Sequence, residues 1–147
     1  MGYLLAQINI AKLLAPIDSP LLEDFVNDLD RINQIAEKSN GFVWRLQDES
    51  GNATGINPFD EESSIINISV WESIDELKNF VYNSGHLDVF MKRAKWFKKM
   101  KTPHMALWWI KSDELPTALD GKNKLLQLEV NGDTQESFSF KQLFEKP

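Results

Sequence analysis

The run from Asn67 to Met100, NISVWESIDELKNFVYNSGHLDVFMKRAKWFKKM, constrains the fold more than any other stretch of this chain. Ile66, Ile68 and Val70 alternate with Asn67, Ser69 and Trp71, the period of a strand with two different faces. Ser73 then stands as a helix cap, with Glu76 at the capping-box position three residues on. From there Leu77, Phe80, Val81, Leu87, Phe90, Met91, Ala94 and Phe97 recur at helical spacing, which predicts one long amphipathic helix. Gly85, just before His86, is the place where that helix is expected to bend. A strand that runs straight into such a helix implies a sheet with helices laid on it.

The rest of the chain supplies the missing elements. YLLAQINI, residues 3–10, predicts a strand with Leu4, Ala6, Ile8 and Ile10 on one face and Gln7 and Asn9 on the other. After the connection APIDSP, Ser19 or Asp18 caps a helix with Pro20 near its first turn. Leu22, Phe25, Val26, Leu29, Ile32, Ile35 and Ala36 give that helix one apolar face, and Asn40-Gly41 supplies its left-handed stop. FVWRLQ, residues 42–47, reads as a strand with Phe42, Trp44 and Leu46 on one side. The acidic stretch 48–63 is a long loop, of the kind that often borders a functional cleft. Pro103 ends the long helical segment and HMALWWI, residues 104–110, makes a fourth strand in which Trp108 and Trp109 point to opposite faces. A last helix spans Thr117 to Asn131 and stops at Gly132, and the alternating tail ESFSFKQLF is expected to pack along the body.

The resulting order, β-α-β-β-α-β plus a C-terminal helix, is an α+β, ferredoxin-like arrangement with an antiparallel sheet. Residues 1–112 are expected to form it, with 113–147 packed on the same domain. The two main helices cover one sheet face. The other, still apolar, is expected to meet a second copy in a symmetric homodimer.

Composition narrows the functional classes. A length of 147 residues with 42% hydrophobic and 26% charged content suits one folded domain with a real core. The net charge of −6 argues against nucleic acid, whose phosphates need a basic surface. No apolar run suits a membrane span or a signal segment, so the expectation is a cytoplasmic protein that does not enter a membrane. Cysteine is absent, which removes disulfides and thiolate chemistry. Asp48, Glu49, Asp60, Glu61 and Glu62 lack the ladder of a calcium loop, and no phosphate-binding or dinucleotide-binding glycine motif occurs. Neither a metal nor a cofactor is expected. The cations Lys92, Arg93, Lys95, Lys98, Lys99 and Lys101 read as a solvated helix end.

GFVWRLQ, then SVWES continuing into Leu77-x-x-Phe80, then a Ser-Gly-His turn, resembles the domain-of-unknown-function 3291 family. The segment PTALDGKNKLLQLEVNGDTQESFSF is similar to that family's closing helix and tail. The resemblance implies a place in the dimeric α+β barrel superfamily, which includes the antibiotic biosynthesis monooxygenases. There two ferredoxin-like sheets close into a barrel across the dimer, and substrates sit in each protomer between sheet and helices. Ala6, Ile8, Ile10, Ile66, Ile68 and Val70 would then line the shared interior.

The opposite parity carries the candidate site. Gln7, Asn9, Asn67, Ser69 and Trp71 would look towards the helices, beside Tyr82, His86 and Phe90, with Trp44 and Arg45 closing the pocket. His86, Asn9 and Trp71 are the catalytic candidates; Gln7, Trp44, Arg45, Asn67, Ser69, Tyr82 and Phe90 are ligand-binding candidates. A lone His can act as a base near neutral pH or hold a helix bend, and Asp88, two residues on, points elsewhere. The haem-degrading branch of the superfamily uses an Asn on the first strand with a Trp and a His on the second helix. Asn9 fits, but the other two positions fall on Phe80 and near Phe90, so haem binding or degradation is a minor alternative. Three readings remain. One is a cofactor-independent monooxygenase-like enzyme acting on a small aromatic or polyketide-type substrate. Another is a binding module without turnover. The third is an interaction protein whose polar groups satisfy each other and whose own aromatics fill the cleft.

Overall fold

The computed structural model describes residues 2–14, 19–46, 64–83 and 103–147. Its strands are β1 (Tyr3–Lys12), β2 (Phe42–Arg45), β3 (Ser64–Trp71) and β4 (Met105–Lys111). Its α-helices are α1 (Glu23–Lys38), α2 (Ile74–Asn83) and α3 (Ala118–Asn131), and a short 3-10 turn, Pro20–Leu22, leads into α1. The sheet order is β2-β3-β1-β4 with every pairing antiparallel. That is the ferredoxin-like α+β arrangement expected from the sequence. His86, Phe90, the remainder of the predicted long helix, its basic end and the acidic loop lie outside the described residues.

Local signals account for the element ends. α1 stops at Lys38, where Ser39 Oγ donates to the Ile35 carbonyl at 2.7 Å, and the chain turns into β2 through Gly41 at φ 82°. Gly41 has a second reason to lack a side chain. A Cβ there would fall 1.2 Å from Glu76 Oε2, so the α2 carboxylate lies directly on the turn. Ser73 Oγ accepts from the Glu76 N–H at 3.3 Å, as its cap position predicts. The firmest cap is on α3, where Thr117 Oγ1 accepts from the Asp120 N–H and Asp120 returns a bond to the Thr117 N–H, closing a reciprocal box.

β1 lies at the centre, and its two faces are packed by different parts of the chain. On the aliphatic face Ala6, Ile8, Ile10, Ile66, Ile68, Val70, Ala106, Trp108 and Ile110 pack with Leu125 and Leu128 of α3. Within the single chain this face is not left uncovered: Ala6, Ile8, Ile68 and Val70 are fully buried, and α3 lies across them. The tail then passes to the other side. Phe138 exchanges backbone hydrogen bonds with Leu107 at 2.7 and 2.9 Å, capping the free edge of β4, and its ring joins Leu5, Trp71, Leu77 and Leu107. Trp109 Nε1 donates to the Phe144 carbonyl at 2.8 Å, which anchors the end of the tail. One C-terminal segment thus grips the sheet from both sides. No helix among the described residues is long and apolar enough to cross a membrane.

β2 also departs from simple alternation. The register places Phe42 opposite Trp71, Trp44 opposite Val70 and Arg45 opposite Ser69, with an irregularity between Phe42 and Trp44. That bulge leaves Val43 exposed, keeps Phe42 on the helix side, and turns Trp44 and Leu46 to the aliphatic side. Phe42, Trp44 and Leu46 therefore do not share a face.

Gly121 sets the seat of α3. A Cβ added there would meet Ile8 Cδ1 at 2.5 Å and Ile68 Cδ1 at 3.1 Å, and both isoleucines are fully buried. In an exposed helix Gly→Ala gains about 1 kcal/mol of propensity. Overpacking a rigid core costs about 1–3 kcal/mol. Gly121→Ala is expected to lose about 1 kcal/mol net, and Gly121→Val more, measured by urea unfolding. A stabilised alanine variant would mean that α3 sits less tightly on β1.

Candidate functional site

The helix-facing side of the sheet is best described in rows running across β3, β1 and β4. The first row is Trp71, Leu5 and Trp109; the second is Ser69, Gln7 and Leu107; the third is Asn67, Asn9 and Met105. Apart from the half-buried Trp109, the first two rows are sealed. Trp71 is fully buried, stacked on Phe80 with centroids 5.1 Å apart and met edge-on by Phe42 at 5.5 Å. Phe138, Phe140 and Phe144 of the tail complete that cover. Beyond the third row, Ile65 and Leu13 form a separate cluster with Leu22, Phe25 and Leu29 at the start of α1. The Asn67–Asn9–Met105 row lies between the two clusters, belongs to neither, and is only half-buried.

A directed chain of hydrogen bonds crosses the sealed rows. Trp71 Nε1 donates to Ser69 Oγ at 2.8 Å. Gln7 Nε2 donates to the same Ser69 oxygen at 2.7 Å and to Asn67 Oδ1 at 2.7 Å. An indole N–H can only donate, so Ser69 must accept from it. Both Gln7 N–H groups are used, and the carbonyl end of Asn67 is held towards Gln7. The Asn67 amide oxygen is thereby committed to Gln7, and Asn9 is the partner of Asn67 across the strand pair.

The sequence-derived candidates separate on this geometry. Gln7, Asn9, Asn67, Ser69 and Trp71 do share the helix-facing side of the sheet. Trp71, Ser69 and Gln7 are spent on one another and on packing, so they form a support and not a contact surface. Arg45 shares the side of Ser69, but its Nε donates to Glu37 Oε1 at 2.8 Å in an ion pair that fastens β2 to α1. Trp44 lies on the opposite face with α3. Tyr82 is 53% exposed and rests against Phe140 of the tail at 6.2 Å. Sequence reasoning missed the part played by Phe138 and Phe140. Their alternation with Ser137 and Ser139 signals packing but does not say which face receives them. No group of metal-ligating side chains occurs among the described residues.

The model of a family described as a domain of unknown function (DUF3291) matches residues 4–147. No curated protein matches the sequence. Among solved structures, the chain is similar to the NE2512 protein of unknown function from Nitrosomonas europaea, at 12% identity over 80% of this chain and 98% of that one, with a TM-score of 0.51. It is also similar to SnoaB, a cofactor-independent oxygenase from Streptomyces nogalater, at 12% identity over 78% of this chain and 97% of that one, with a TM-score of 0.49. Likenesses at this level of identity speak to fold and not to activity.

The polar relay makes a sharp stability prediction. Ser69→Ala leaves two buried donors, on Gln7 and Trp71, without their shared acceptor. Each unsatisfied group costs about 1–3 kcal/mol, so Ser69→Ala is expected to lose at least 2 kcal/mol in urea unfolding. A loss below about 0.5 kcal/mol would show that the donors find other partners.

Proposed function

The chain belongs to the DUF3291 family, and from that premise we propose that it binds a small molecule through the half-buried asparagine row at Asn9 and Asn67. The observation that carries this reading is the orientation of Asn67. Its oxygen accepts from Gln7, itself braced by Ser69 and Trp71, which turns the N–H end of the amide away from Gln7 within the half-buried row that it shares with Asn9. A fixed amide donor between two apolar clusters suits a ligand with an acceptor oxygen on a flat apolar frame, such as a phenolate or quinone carbonyl. Preorganisation favours binding here, because the donor is already held before the ligand arrives.

Turnover asks for more than this row provides. In a cofactor-independent oxygenation the protein must take a proton from an electron-rich substrate and hold the resulting anion. Asn9 and Asn67 can hold an anion by donation but cannot act as bases, and the Trp71 indole N–H is committed to Ser69. Binding is therefore the primary reading, and monooxygenase-like chemistry is a further step for which His86 is the base candidate.

Titration of isotope-labelled protein with 4-hydroxybenzoate and 2-hydroxy-1,4-naphthoquinone, with toluene as the acceptor-free control, tests the binding reading. Side-chain amide resonances of Asn9 and Asn67 are expected to shift with the oxygenated probes and not with toluene. Asn67→Leu should weaken binding by roughly five- to tenfold, the worth of one or two neutral hydrogen bonds. Probes that shift neither amide, or bind the leucine variant equally well, would sink the proposal. An oxygen electrode with the bound probe then reports whether turnover accompanies binding.

A further inference from the structure

We propose that Gln7 is a positioning residue that sets the polarity of the ligand. As glutamine it turns the asparagine row towards hydrogen-bond acceptors, and a carboxylate in its place turns the same row towards donors. This rests on the binding reading above and names the residue behind its ligand class. Gln7 itself is buried, at 5% exposure, and acts through Asn67. One atom carries the control. Gln7 pairs with Ser69 across β1 and β3, and Asn67 is its diagonal neighbour, within reach of a long side chain. Gln7 Nε2 lies 2.7 Å from Ser69 Oγ and 2.7 Å from Asn67 Oδ1. Asn67 must offer that atom the complementary end of its amide, so the end left over is fixed by the same choice. Opposite the Gln7 N–H, Asn67 turns its oxygen inward and its NH2 end away from Gln7, within the half-buried row.

Ser69 tolerates either polarity at position 7. The Trp71 indole can only donate, and it takes one lone pair of the Ser69 hydroxyl at 2.8 Å. The other lone pair accepts from Gln7. Opposite an acceptor at position 7, the Ser69 O–H donates instead, and the bond from Trp71 is kept. Gln7→Glu therefore preserves the shape of the relay and reverses its direction. Asn67 must then give an N–H to the carboxylate and turn its oxygen to the ligand. Gln7→Met keeps the length of the side chain and removes its polarity, which leaves Asn67 free to turn either way. A merely structural Gln7 makes a different pattern, since its loss would weaken every ligand alike. A polarity selector moves acceptor and donor ligands in opposite directions, because a site rejects the ligand that leaves its own polar group unpaired.

Three probes on nearly one bicyclic frame make the test: indan-1-one, which only accepts, indole, whose N–H donates, and indene, which does neither. Affinities for the full chain are measured at about pH 8, well above the ordinary glutamate range, by titration of the Asn9 and Asn67 side-chain amide resonances. Circular dichroism checks that each variant is folded. The wild-type chain is expected to bind indan-1-one roughly five- to tenfold better than indole, the worth of about one hydrogen bond. Gln7→Met should bring the two probes within about twofold of each other, and Gln7→Glu should favour indole by roughly the factor that the wild type favours indan-1-one. Should the carboxylate variant fail to fold, the loss of preference in Gln7→Met carries the test. If the preference for indan-1-one survives in the folded variants while both affinities fall together, the proposal is overturned and the binding reading stands. A wild-type preference for indole overturns the proposal as well. A wild-type chain that binds indan-1-one no better than indene, or without moving either asparagine resonance, overturns the binding reading and this proposal with it.

Discussion

The structure depends on burying both faces of β1 within a single chain. A strand of this kind cannot alternate simply between core and solvent. Each face of β1 needs its own cover, and the two covers come from different parts of the sequence. α1 and α2 supply much of the helix side. The C-terminal segment supplies the rest: α3 on the aliphatic side, then Phe138 and its neighbours around the β4 edge and back to the helix side. Gly121 permits the close approach on one side, and the backbone exchange between Phe138 and Leu107 locks the crossing to the other.

That arrangement explains why polar residues are tolerated under the helices. Placing Gln7, Ser69 and the Trp71 indole in a sealed layer is costly unless each donor has an acceptor. The three satisfy one another in a line that ends at Asn67, where the cover thins. An apolar replacement of the whole set would pack as well. What the polar line adds is direction, because it holds the terminal amide in one orientation. The same line argues against reading Trp71 as a group that touches substrate, since its ring is fully buried and its N–H is committed to Ser69.

Much of the fold is legible in the sequence, and the reason is periodicity. Alternation in β1 and β3 is uninterrupted, so parity alone places Ile8 and Ile68 on one side and Gln7 and Ser69 on the other. Legibility fails where alternation breaks or contacts are remote. The bulge after Phe42 moves Trp44 across the sheet, and a short segment gives no periodic warning of one extra residue. Tyr82 is expected from the sequence beside the polar strand residues, and it lies exposed against Phe140 of the tail. The position of α3 was hidden for a different reason. Its apolar residues fall on two opposite sides, so helical periodicity cannot say which side meets the sheet until Gly121 is seen against Ile8. The Arg45–Glu37 pair shows the same limit, since no spacing rule joins β2 to a preceding helix.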